Sequence, residues 1–487
     1  MEHVDVLIVG AGLSGIGAAW HIKHRSPGRS YAIWEARGAI GGTWDLFRYP
    51  GIRSDSDMHT LGYRFKPWTE AKAIADGPSI LKYVQDTARD EGIDKHIAFD
   101  TRVTSADWDS ATALWTVTAQ RGDATVTTTC NFLLMCSGYY SYAEGYVPTW
   151  GGEADFAGTF VQPQFWPADL DYSGKNVVVI GSGATAMTLV PEMAKKAAKV
   201  TMLQRSPTYV VSRPGEDKLA NRMRKLLGAK AGYALTRWRN VGWQLFFYNL
   251  TQRKPAQIKN RLIGMVRDAL GPDYDVATHF TPRYNPWEQR MCLIPDADLF
   301  ESLKSGKAEV ATDTIEKFVS EGIKLSSGKT LPADIIVTAT GLKLNVFGDA
   351  KFSMDGVPVD VGKSIIYKGM MIGGVPNLTF VFGYTNASWT LKADLTSEFV
   401  CRLLNRMKAS GTTIATPVLT DGIEPEPFLD FSSGYVQRAL EQLPKQGSKA
   451  PWKLHQNYAK DTLTLRYGKL DDGTMKFSNP AREKAAA

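Results

Sequence analysis

The stretch Lys175–Ser206, KNVVVIGSGATAMTLVPEMAKKAAKVTMLQRS, decides how this chain folds. Its apolar run Val177–Ile180 is the kind of strand buried on both faces of a parallel sheet. GSGATA follows, with Gly181 and Gly183 in fingerprint spacing and Ala186 where a third glycine is replaceable by alanine. A helix and a second apolar strand, Val200–Leu203, complete a βαβ unit. The glycines let backbone approach a pyrophosphate, and the helix N-terminus supplies unpaired amides and the positive end of a dipole. An NAD site places a carboxylate after the second strand, whereas a site for the 2′-phosphorylated form uses arginine. Here the strand runs into Gln204, Arg205 and Ser206, with no acid. One charge-assisted contact of about 1.5–3 kcal/mol would favour NADPH over NADH by about ten- to a hundredfold. This half of the chain therefore reads as an NADPH site.

The same grammar occurs at the N-terminus. Val4–Val9 is a buried strand leading into GAGLSG, where Gly10, Gly12 and Gly15 complete a GxGxxG motif around Ser14. A second strand, Tyr31–Trp34, ends at Glu35, 20 residues after Gly15. A carboxylate there binds a ribose hydroxyl, which suits FAD or NAD. The run GGTWDLFRYPGIRSDSD, Gly41–Asp57, resembles neither helix nor strand and reads as a loop alongside the rest of a dinucleotide. Residues 79–92 read as an amphipathic helix. Residues 99–136 alternate apolar and polar, through Val103, Trp108, Trp115 and Val117, as in an antiparallel meander ending in FLLMCSG, Phe132–Gly138.

Composition sets bounds. The 487 residues suffice for two or three domains, and 57 Lys and Arg against 50 Asp and Glu leave a net charge of +7. Cys130, Cys136, Cys292 and Cys401 form no CxxC pair and no zinc spacing, so they read as reduced, buried thiols in a cytoplasmic protein. No apolar run reaches the roughly 20 residues of a membrane helix. His21 and His24 share a helix face without a third ligand and read as surface histidines, and no metal site is expected.

The positive excess is concentrated in residues 217–270, which read as helices carrying twelve Lys and Arg, interleaved with Trp238, Trp243, Phe246 and Phe247. Acids are all but absent between Lys218 and Arg267. The segment reads as a helical insert with a solvated basic face, in preference to attachment to an anionic membrane or to a self-association partner. No nucleic-acid module accompanies the charge.

Between the two dinucleotide motifs lies FAGTFVQPQFWP, Phe156–Pro167, a stiff aromatic and proline-rich connector. This run is similar to the F-x-G-x-x-x-H-x-x-x-W-P fingerprint of Baeyer–Villiger flavin monooxygenases. Phe156, Gly158, Trp166 and Pro167 match, and Gln162 replaces the histidine. GGTW…YPG…D and DIIVTATG, Asp334–Gly341, agree with the same family, and the resemblance covers essentially the whole chain. It is nearest to the thioether-oxidising subgroup typified by the mycobacterial ethionamide-activating monooxygenase.

The resemblance implies an α/β architecture of two Rossmann-like dinucleotide-binding domains, for FAD and NADPH, with a helical insert in the second. The boundaries expected are 1–145 for the first part of the FAD domain, 146–175 for the linker, 176–330 for the NADPH domain with its insert 217–275, and 331–487 for the rest of the FAD domain. Arg290 occupies the place of the catalytic arginine, with Asp55 as its carboxylate partner. Gly42, Thr43, Trp44, Asp45, Arg53, Asp55 and Val103 would join the FAD site, and Ser182, Ala184, Thr185, Arg205 and Ser206 the NADPH site. The loop and helix of Gly383–Phe399, with Trp389, would lie near the flavin ring. The implied reaction uses O2 through a C4a-peroxyflavin to oxygenate ketones, to oxidise thioethers, or both. A glutamine at 162 cannot acquire the charge of a histidine. An N- or S-oxygenating enzyme without ketone activity, or a largely uncoupled NADPH oxidase, therefore stands as the alternative.

Overall fold

The computed structural model describes residues 2–429 and 431–481, so the tail REKAAA, expected to be disordered, lies outside the described residues. The first domain is built on strands β1 (Glu2–Val9), β2 (Tyr31–Trp34), β3 (Ile97–Ala98), β4 (Thr101–Asp109), β5 (Leu114–Arg121) and β6 (Ala124–Met135). The second is a five-stranded parallel sheet of β7 (Thr159–Val161), β8 (Asn176–Ile180), β9 (Lys199–Gln204), β10 (Ala308–Thr312) and β11 (Ile335–Thr338), in the order β10-β9-β8-β11-β7. The chain then returns to the first sheet with β12 (Lys351–Met354) beside β4 and β13 (Leu378–Phe380) beside β6.

Strand β1 lies between β2 and β6, parallel to both, and Val6, Leu7 and Ile8 have no exposed surface. In β8, Val177–Ile180 is likewise buried, with Val178 and Val179 fully inside. Such strands need a helix on each face. In the first domain one cover is α1 (Leu13–Arg25), and α2 (Gly77–Asp90) starts at Asp76, whose carboxylate accepts the Ser79 N–H at 2.9 Å. The second sheet is covered by α3 (Ala184–Met193) and α6 (Asp298–Lys304), and the basic insert forms α4 (Lys218–Arg253), which is non-helical at Gly228, and α5 (Pro255–Leu270). The late helix α7 (Trp389–Ser410) packs on α1.

Four expectations change here. Residues 335–338 are not part of the first domain: β11 sits between β8 and β7 in the second sheet. An apolar run reads alike in either parallel sheet, and only its register with Val177–Ile180 assigns it. The connector expected at 146–175 contains β7, an edge strand of the same sheet. Gly158 lets that edge approach, since a Cβ there would stand 2.4 Å from the Asp334 carbonyl oxygen. Within the Gly41–Asp57 loop, Thr43–Leu46 closes one helical turn. His21, expected at the surface, is buried under α7, with Nε2 3.4 Å from Asp394. The four cysteines are free and buried, as their spacing suggested.

Candidate active site

Both glycine turns are shaped by a carbonyl from a neighbouring strand end. Gly10 has φ 106°, and a Cβ on it would lie 2.6 Å from the Cys136 oxygen. Gly181 has φ 131°, and its Cβ would lie 2.3 Å from the Ala339 oxygen. FLLMCSG and DIIVTATG thus do the same work in the two domains, each pressing a carbonyl against the first glycine. Side chains rarely adopt such φ values, and these contacts leave no room for one. Beneath the first turn, a Cβ on Gly15 would stand 1.8 Å from the Gly10 oxygen.

Glu35 closes β2 and accepts two backbone N–H groups, Ala11 to Oε2 at 2.6 Å and Arg37 to Oε1 at 2.9 Å. Burial raises its carboxyl above the usual range, while these donors and the Arg37 charge pull it back. Each carboxylate oxygen keeps a second lone-pair site for a ligand hydroxyl. Across from it, a Cβ on Gly42 would lie 3.1 Å from Gly12 Cα, so two bare backbones face one another at the N-terminus of α1.

These features open into one cavity of about 540 Å³ between the two sheets. Gly10, Gly12, Ser14, Glu35 and Val103 line it from the first domain, and Gly42, Thr43, Trp44, Arg53 and Asp55 from the long loop. Ala184 and Thr185, at the start of α3, and Arg290 close it from the second domain. The geometry therefore brings the first motif, the second helix N-terminus and the arginine together.

Other expected residues stand apart. Gly15 packs below the turn, and buried Asp45 is held by Arg37 at 2.7 Å and Arg48 at 2.9 Å. Arg53 reaches the cavity but spends its guanidinium on Asp298 at the start of α6 and on the Met187 carbonyl at 3.3 Å. Gly181, Ser182, Gly183, Arg205 and Ser206 form an open turn outside the cavity, where Ser182 Oγ donates to the Ser206 carbonyl at 3.2 Å. Gln204, in the place of the missing acid, is buried and donates to His279 O at 2.8 Å and Thr312 Oγ1 at 2.9 Å. Arg205 is exposed and makes no hydrogen bond or ion pair among the described residues. Phe156 and Trp166 pack with residues of the second sheet, Pro167 is exposed, and none of the three lines the cavity. Gln162 sits over Gly145, whose added Cβ would lie 2.3 Å from the amide nitrogen.

Arg290 is half-buried, and its Nε is shielded from solvent without a hydrogen-bond partner. Burial opposes its charge, but Tyr139, Tyr435 and Asp55 raise its pKa again, so the guanidinium stays protonated. The expected Asp55–Arg290 ion pair is not formed. Asp55 is exposed at the cavity rim and acts on Arg290 only through its longer-range charge.

An aromatic wall completes the site, and the sequence reading had missed most of it. Tyr140 donates to Thr43 Oγ1 at 2.6 Å, and Tyr139 stacks on Trp389 with centroids 5.1 Å apart. Trp389, at the start of α7, donates to Ser14 Oγ at 2.8 Å. The signal available was Tyr139–Tyr140 directly after FLLMCSG, the strand end that contacts Gly10.

A model described as flavin-binding monooxygenase-like matches residues 73–239, and one for an NAD(P)-binding Rossmann-like domain matches residues 8–75. The chain is 54% identical over 479 residues to the FAD-containing monooxygenase EthA of Mycobacterium tuberculosis, covering 98% of each. The chain belongs to the FAD-containing monooxygenases. This monooxygenase is also 47% identical to the probable FAD-binding monooxygenase AlmA of Acinetobacter baylyi, over 98% of this chain and 96% of the relative. It shares its fold with an oxidized steroid monooxygenase bound to NADP, at TM-score 0.77 and 22% identity over 98% of this chain and all of the other. An open cyclohexanone monooxygenase superposes at TM-score 0.76 with 18% identity, over 98% of this chain and 100% of that one. The monooxygenase's residues fit FAD. Gly10, Gly12 and Gly42 leave the wall bare beside the α1 N-terminus, Glu35 has acceptor capacity to spare, and Arg290 Nε awaits a partner.

Proposed function

We propose that this monooxygenase uses NADPH and O2 to oxygenate small ketones to esters or lactones and thioethers to sulfoxides. The observation that carries this reading is the single cavity shared by the first glycine turn, the α3 N-terminus and Arg290. Bound FAD supplies hydride acceptance and the activation of dioxygen. The protein's own task is to hold, orient and protect. Glu35 and the Gly12–Gly42 slot anchor the dinucleotide of the first domain. The open turn at Gly181–Gly183 with Arg205 suits the phosphorylated nicotinamide cofactor, and the α3 N-terminus directs it into the cavity. Arg290 carries a fixed positive charge where negative charge develops on oxygen. Tyr139 and Trp389 supply an apolar wall that limits water there.

Incubation with NADPH, a linear ketone and an aryl thioether, followed by product identification, tests the reading. Ester or sulfoxide supports it. NADPH consumption that yields only hydrogen peroxide would replace it with an uncoupled oxidase.

Two substitutions sharpen the assignment. Arg205→Ala is expected to raise the KM for NADPH by about ten- to a hundredfold and leave that for NADH nearly unchanged. Equal changes for both would remove Arg205 from the phosphate site. Gln162→His is expected to alter the ratio of NADPH consumed to product formed, because the side chain packs at the junction with Gly145 and would become protonatable. Identical steady-state kinetics on ketone and thioether would leave position 162 a packing role only.

A further inference from the structure

The basic insert exposes most of its cations, as its composition suggested, but beside them lies an apolar stripe. In the part of α4 after Gly228 apolar side chains lie on both sides, Tyr233 and Val241 buried inward and others facing solvent. Arg237 is buried, donating to the carbonyls of His59 at 2.9 Å and Gly62 at 2.7 Å, while the solvent side carries Leu235, Trp238, Trp243 and Phe246 at 51%, 51%, 54% and 57% exposure. At 100° per residue these four fall within an arc of ~140°, a single stripe. Trp243 and Phe246 adjoin, with ring centroids 5.7 Å apart. The exposed cations Arg222, Lys225 and Lys230 precede the stripe, and Arg253 and Lys254 follow it.

We propose that this stripe docks on an anionic lipid bilayer surface. Four large apolar side chains, each about half exposed and in one stripe, mark an interaction site. Tryptophan and phenylalanine flanked by Lys and Arg are the composition of helices that lie in the headgroup boundary. Charge selects the occupant. Lys218–Arg267 holds twelve of the 57 basic residues and none of the 50 acidic ones, so the rest of the chain is net negative. A second copy meeting the stripe through a two-fold axis would bring the same cations against these, whereas anionic headgroups neutralise them. The attachment is peripheral, since no helix among the described residues is long and apolar enough to cross a membrane. Val241 and Leu245, on the inward side of α4, pack near Ala387 of the cavity wall. The docked face thus lies about one helix diameter, ~10 Å, from the active-site cavity.

The test is sedimentation of the full-length flavin-loaded enzyme with vesicles of phosphatidylcholine alone or mixed with phosphatidylglycerol. Binding is expected only to the mixed vesicles and should weaken at high salt. Leu235→Ser, Trp243→Ser and Phe246→Ser together should reduce it about tenfold or more at unchanged flavin content. Lys225→Glu, Lys230→Glu and Arg253→Glu together, all at exposed positions, should do the same. Absence of binding, equal binding to both vesicle types, or binding indifferent to both variants would overturn the proposal. So would a lipid-free dimer that the first variant converts to monomer, because the stripe would then be a contact between copies.

Discussion

Arg290→Ala is expected to leave flavin bound and reducible by NADPH while cutting oxygenated product about 10²- to 10³-fold. That range is the usual consequence of removing one donor aimed at developing charge, roughly 3–4 kcal/mol of barrier. The expectation rests on a guanidinium that lines the cavity with a desolvated, unpaired Nε. A buried donor without a partner costs free energy, which a ligand in the cavity would relieve. Anaerobic stopped-flow reduction with NADPH, paired with product quantitation in air, separates the two half-reactions. If reduction slows as much as product formation falls, Arg290 serves nicotinamide binding. If product stays within about tenfold of the parent, the charge lies elsewhere. Asp55→Ala should matter much less, because no ion pair joins it to Arg290 and its carboxylate is exposed.

The second large effect concerns packing. Gly15→Ala is expected to destabilise the first domain by roughly 3 kcal/mol and to abolish flavin retention, because its Cβ would meet the Gly10 oxygen at 1.8 Å. That oxygen belongs to the turn that cradles the dinucleotide, so relief of the clash must distort the site. The equivalent position in the second domain already carries alanine, Ala186, fully buried on α3. Its replacement by glycine should cost only about 1 kcal/mol, from helix propensity. Thermal unfolding of both variants, with flavin content after gel filtration, checks the contrast. Retained flavin and an unchanged melting temperature in Gly15→Ala would mean that α1 shifts outward freely.

That contrast also shows where sequence reading stops. The fingerprint allows Gly or Ala at its third position, and nothing in GAGLSG or GSGATA says which of the two turns has room. The spacing between helix and strand is set by everything else packed on the sheet. The basic insert is similar: its charges and rings are legible from 218 to 267, but which of them face outward depends on what α4 leans against. Arg237 points inward because the carbonyls of His59 and Gly62 stand there.

By itself the sequence determined the two βαβ units, the carboxylate at Glu35 and its absence after β9. These are local patterns, fixed by the two-residue period of strands, the turn chemistry of glycine and the charge of single side chains. Only the tertiary structure decided that β11 belongs to the second sheet, that Asp55 stands apart from Arg290, and that Tyr139 and Trp389 wall the cavity. Those outcomes depend on register and on contacts between residues far apart in the chain, such as Trp389 with Ser14, whose energies appear only once both domains are packed.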